Sequence, residues 1–131
     1  MSWTNLEFDR LRREFGYDIC SHTVHNDAVL RVQDLELPEV SAFSDAVQGK
    51  ILKATESSWW YRVRSEIIIK KLKMRGFSGT LWDIGSGTGV VTAALAAAGI
   101  PAIAIEPSTG GAAIATQHGV ASIQGTLQSL N

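Results

Sequence analysis

"TLWDIGSGTGVVTAALAAAGIPAIAIEPS", residues 80–108, decides how this chain folds. Its first five residues form a short apolar run bounded by turn formers, as a buried parallel strand requires. Residues 89–99, "GVVTAALAAAG", are apolar on nearly every side and predict a buried helix. "PAIAI" (101–105) predicts a second buried strand. Beyond it Ser108 caps a helix running to His118, Gly119 closes that helix, and "VASIQ" (120–124) reads as a third strand. Strand, helix, strand, helix and strand with short connections imply parallel pairing through right-handed crossovers. The fold class expected is therefore α/β. An N-terminal helical region precedes the first half (β-α-β-α-β) of a doubly wound, Rossmann-like parallel sheet, which is incomplete.

Working back toward the N-terminus, the composition changes near residue 76. Before it the chain is charged and reads mostly as helix; after it Gly and Ala dominate. The division expected is a helical region over 1–76 and a partial cofactor-binding domain over 77–131. "TNLEFDRLRREFG" opens with a capping box, Thr4 with Glu7 three residues on, and Gly16 suits the stop. Residues 17–37 read as loop with one short helix around 27–34. Pro38 sits well at a helix start, and Val40, Phe43, Val47, Ile51 and Ala54 follow as one apolar stripe. Residues 57–75, "SSWWYRVRSEIIIKKLKMR", predict the next helix, with Trp60, Val63, Ile67 and Met74 on one side and Gly76 at its end.

Twelve basic and thirteen acidic side chains give a formal net charge of −1, so no basic excess points to nucleic acid. No apolar run approaches the roughly 20 residues that span a bilayer, and no membrane partner is expected. The N-terminus lacks the apolar core of a signal peptide, and Cys20 is the single cysteine. A reducing, cytoplasmic location is the expectation.

"DIGSGTG" (83–89) carries the chemistry. Glycines at 85, 87 and 89 join a strand end to a helix start, where a missing Cβ lets a ligand approach the main chain. Glu106 ends the next strand, 21 residues after Gly85, where a doubly wound nucleotide site places the acid that meets ribose hydroxyls. A dinucleotide fingerprint, G-x-G-x-x-G, would need glycine at 90, and that position is Val90. The pattern found is G-x-G-x-G with an acid two residues ahead.

That pattern resembles motif I of the class I S-adenosylmethionine-dependent methyltransferases. The resemblance covers roughly residues 55–131 and includes the Trp-aromatic-Arg helix ahead of the glycine turn. It implies that Asp83 and the backbone at Gly85 and Gly87 hold the methionine amino group of S-adenosyl-L-methionine, with Ser86 and Gly89 completing the turn. It further implies that Glu106 holds the ribose hydroxyls and that Pro107 packs on the adenine. Members often carry an Asp near the adenine amino group; here Thr126 stands there, leaving a backbone contact from Thr126 or Leu127. Arg64 is the candidate for binding the cofactor carboxylate in a bidentate manner. The aromatics at 59–61 read equally as anchors to the sheet, a role expected of at least one of them.

The resemblance also implies further strands after the third, and with them the residues that select an acceptor. The chain is thus read as a methyltransferase fragment whose parent acts on a small molecule or glycan precursor. The alternatives are an NAD-type dinucleotide-binding domain, or a non-catalytic helical interaction module with a structural glycine turn. Asp18, Cys20, His22, His25 and Asp27 crowd one segment, but C-x-H-x-x-H lacks a second ligand pair and no metal is expected. No P-loop and no nucleophile elbow occurs. The strand at 80–84 should lie at an open edge, leaving Trp82, Ile84, Val90 and Val91 showing. Homo-oligomers by edge pairing or helix exchange are expected.

Overall fold

The computed structural model describes residues 58–128, the backbone of residues 22–25 and 29–32, and singly residues 13, 47, 50 and 54. Its elements are β1 (His22–His25), β2 (Val29–Val32), α1 (Trp59–Met74), β3 (Leu81–Ile84), α2 (Val90–Ala97), β4 (Ala102–Glu106), α3 (Thr109–Gln117) and β5 (Ala121–Gln124). They form one five-stranded sheet in the order β1-β2-β5-β4-β3. β3, β4 and β5 pair in parallel, as the apolar runs at 80–84, 101–105 and 120–124 predict.

The hairpin corrects the expectation of loop and short helix over 17–37. β1 and β2 pair antiparallel, His22 opposite Val32 and His25 opposite Val29, and β2 then lies parallel to β5. "HTVH" and "VLRV" hold β-branched residues suited to a pleated surface, and Asn26 and Asp27 between them are turn formers by type. Four-residue strands gain their stability from cross-strand pairing, here with a strand some ninety positions along the chain. Local periodicity cannot report such a partner. The sheet therefore takes strands from both sides of residue 76. The capped helix at 4–16 and the apolar stripe at 38–54 lie largely outside the described residues. Of these segments Arg13, Val47, Lys50 and Ala54 are described, each helical and exposed.

Residues alternate across the sheet. Ile103, Ile105 and Ile123 are buried on one face. On the other, Ala104 packs with Ala115 of α3 and with Val120, all within 3% of full burial. Consecutive crossovers running the same way across a sheet put their helices on one face. α2 and α3 accordingly both lie on the Ala104 side, as shown by the bonds from α2 to β3 described below. Ser108 caps α3 as its sequence suggests, its Oγ accepting from the Gly111 N–H at 2.9 Å.

α1 packs against α2, and its most buried ridge is that of Tyr61, Ser65, Ile68 and Leu72, of which Ser65 is 4% exposed and the rest are half-buried. Tyr61 is half-buried, whereas Trp59 and Trp60 are exposed. The side bearing Trp60, Ile67 and Met74 turns outward. α1 ends in a Schellman motif, with the Gly76 N–H donating to Lys73 O (3.1 Å) and the Phe77 N–H to Leu72 O (3.1 Å).

β3 stands last in the strand order, with no strand on its outer side among the described residues. Ile84 is exposed there, whereas Trp82, Val90 and Val91 are half-buried. An edge strand without lysine or proline invites pairing. Light scattering at micromolar concentration is expected to give a mass above that of one chain; a monodisperse 14.1 kDa species would rule self-association out.

Candidate functional site at the strand ends

Asp83 and Glu106 are the sole charged side chains after residue 76, and both stand near the C-terminal ends of adjacent strands. In an open parallel sheet this is the edge at which ligands bind. The glycine turn lies between them. The Gly85 and Ser86 N–H groups both donate to Ile105 O, at 2.8 and 3.1 Å, which fastens the turn to β4. The Gly89 N–H donates to Ser86 O at 3.0 Å and closes the turn onto α2.

The glycines divide into two kinds. Gly85 and Gly87 take φ of +74° and +57°, and a Cβ built on either would meet nothing within 4 Å. They face open space. Gly89 also has positive φ (+74°), yet its Cβ would lie 2.6 Å from the Ala115 Cβ and 3.0 Å from the Ala115 Cα. Gly89 therefore lets α2 begin directly against α3. Its role in the structure is helix packing, one step removed from the open part of the turn.

Glu106, only 7% exposed, is held by main-chain donors. The Gly87 N–H donates to its Oε2 at 2.8 Å and the Ser108 N–H to its Oε1 at 3.0 Å. The carboxylate thus braces the glycine turn against the start of α3. Each oxygen keeps further acceptor capacity, since an ionised carboxylate offers about four lone-pair directions. Asp83 is fixed from the opposite side: Thr92 Oγ1 donates to its Oδ2 at 2.6 Å. Its Oδ1 is left for other partners.

Two residues absent from the sequence reading belong to this arrangement. Thr92, fully buried, is the one polar residue in the apolar run of α2, and that isolation was its signal. Gln124, also fully buried, pairs with Glu106 in register and donates through Nε2 to Pro107 O (3.1 Å) and Thr109 Oγ1 (2.9 Å). The Pro107 carbonyl fixes which way this amide points. Gln124 ties the turn after β4 to the end of β5, and a glutamine closing "VASIQ" was the trace of it.

The other predicted residues are placed as follows. Pro107 is half-buried beside Glu106. Ser86 Oγ is buried at the turn without a partner. Thr126 is half-buried and Leu127 exposed just past β5, where the Gly125 N–H donates to Glu106 O at 3.2 Å. Arg64 lies on the exposed flank of α1, apart from the hydrogen-bonded set. Among the described residues no cluster of three or more His, Cys, Asp and Glu could hold a metal ion. His22 and His25 lie on β1 with their side chains undescribed, and Asp18, Cys20 and Asp27 fall outside the described residues.

No protein-family model and no curated protein matches the chain.

Proposed function

We propose that the strand-end site binds S-adenosyl-L-methionine, and that the chain carries the cofactor-binding part of a class I methyltransferase acting on a small molecule or glycan precursor. One observation carries this reading. Two carboxylates flank an open glycine turn, and residues 77–131 hold no Lys or Arg beside them. Such a site suits a ligand with positive charge and hydroxyl donors, which the sulfonium, ammonium and ribose of the cofactor supply. It suits a pyrophosphate less well, because a dianion along the turn would lie beside Asp83 with no Lys or Arg between residues 77 and 131 to offset it. The absence of glycine at 90 points the same way.

In this reading Asp83, held by Thr92, meets the ammonium group through its free oxygen. The main chain at Gly85 and Gly87 lies along the amino-acid end, Glu106 accepts from the ribose hydroxyls, and Pro107 forms a wall for the adenine. A backbone contact from Thr126 or Leu127 completes the adenine side. The cofactor supplies an activated methyl group; what the protein supplies is in-line positioning of an acceptor. Isothermal titration calorimetry with S-adenosylmethionine, S-adenosylhomocysteine and NAD separates the candidates. Heat is expected for the first two and none for NAD. Tighter binding of NAD would reverse the assignment.

A further inference from the structure

The outer face of α1 is apolar along its length and cationic on its flanks, and nothing in the site described above uses it. Positions 61, 65, 68 and 72 form the inward ridge around buried Ser65, so 59, 63, 67, 70 and 74 form the opposite one, exposed except for half-buried Val63. Trp59 is 66% exposed on that ridge, Ile67 52% and Met74 76%, with Trp60 beside them at 55%. The indoles of Trp59 and Trp60 meet edge to face, ring centres 6.0 Å apart. Phe77, just past the helix end, extends the apolar surface.

Six cations border or interrupt this strip: Arg62, Arg64, Lys70, Lys71, Lys73 and Arg75, all exposed. Glu66 is the single acid on the helix. The whole chain is slightly acidic, so this local excess of five positive charges over 62–75 is a property of α1 alone. Four to eight clustered Lys and Arg on an amphipathic helix are the pattern that anionic headgroups attract. Tryptophans with an apolar body and a polar N–H favour the same boundary.

We propose that α1 docks, lying flat, on an anionic lipid surface, with Trp59, Trp60, Ile67 and Met74 entering the headgroup boundary and the cations meeting phosphates. The lysines decide between lipid and a protein groove. Cores of protein interfaces are depleted in Lys, and here Lys70 stands within the apolar ridge itself. Against lipid a lysine stem lies along the acyl boundary while its ammonium reaches the headgroups. Such a contact differs from a membrane span. No described helix is long and apolar enough to cross a bilayer. It goes beyond the expectation, drawn from the lack of a long apolar run, that the chain has no membrane partner.

Co-sedimentation of the full chain with phosphatidylcholine vesicles, with and without phosphatidylglycerol, tests this. Binding is expected to the anionic vesicles, weakened by salt, and not to the neutral ones. Lys70→Gln, Lys71→Gln and Lys73→Gln together should weaken it on the order of a hundredfold, from the usual contribution of each cation near a charged surface. Trp59→Ser with Trp60→Ser should weaken it as well, and circular dichroism should show both variants folded, because all five residues are exposed. No sedimentation with anionic vesicles, equal binding to neutral ones, or binding unchanged in either variant overturns the proposal. So does retention on an acidic amphipathic helical peptide in the absence of any vesicle binding.

Discussion

Glu106→Ala should lower the affinity for S-adenosylmethionine by about 1–3 kcal/mol, or roughly 5- to 150-fold, and destabilise the fold at the same time. Both effects have one origin. The carboxylate accepts from the Gly87 and Ser108 N–H groups, and the second of these bonds is buried. Removing the acceptor leaves those donors to whatever water the new space admits. Hydrogen bonds to an ionised group contribute about 1.5–3 kcal/mol each, and desolvation of the buried carboxylate offsets part of that. A net loss of roughly 1–3 kcal/mol in urea unfolding is expected. Glu106→Gln should grade both effects together. Its Nε2 must face one of two N–H donors, so one bond is lost whichever way the amide turns, while one acceptor remains. Its affinity and stability should both fall between those of the parent and of Glu106→Ala. Unchanged affinity in Glu106→Ala, measured by calorimetry on folded protein, would remove Glu106 from the ligand site and leave it a brace between two turns.

The brace shows how much of the site was legible beforehand. Strand-end acid and glycine turn were visible because both are fixed by short sequence distances: a turn must follow a strand, and Glu106 must close the next one. What Glu106 bonds to was not visible, since its partners are main-chain donors of two different turns. Thr92 and Gln124 were marked by their polarity within apolar runs, but a buried hydroxyl or amide names no partner until the fold supplies one. In α1 two ridges compete, and the sequence points only to one of them, that of Trp60, Val63, Ile67 and Met74. The outward one holds Trp60, Ile67 and Met74; the inward one contains Ser65, whose hydroxyl donates to Tyr61 O at 2.8 Å and so needs no tertiary partner. That local bond lets a serine sit in the packed ridge, against the rule that the more apolar side turns in. The hairpin was hidden for a different reason: β2 owes its place to β5, far along the chain.

Gly89→Ala is expected to cost more stability than alanine at either of the other two glycines of the turn. All three sit at positive φ, where an L-residue costs about 1–2 kcal/mol. At Gly85 and Gly87 that is nearly the whole penalty, because an added Cβ meets nothing within 4 Å. At Gly89 the new methyl would stand 2.6 Å from the Ala115 Cβ and 3.0 Å from its Cα. Neither atom can rotate away, as alanine has no side-chain torsion that moves its Cβ. α3 would have to shift as a body, and Ala115 and its neighbours Ala104 and Val120 are packed with almost no exposure. Overpacking of this kind adds about 1–3 kcal/mol, for a total near 2–5 kcal/mol in urea unfolding. Ligand affinity should follow the opposite order: alanine at Gly85 or Gly87 projects into the open side of the turn and blocks a ligand, whereas folded Gly89→Ala keeps that space clear. A second substitution, Ala115→Gly, removes the 2.6 Å collision with Cβ while leaving the 3.0 Å approach to Cα and the φ strain, and itself costs about 1 kcal/mol within a helix. The double variant should therefore be more stable than the sum of the two single changes predicts, by about 1–3 kcal/mol of coupling. Strict additivity would mean that α2 and α3 do not meet at Gly89, and the glycine at 89 would then be required by the turn alone.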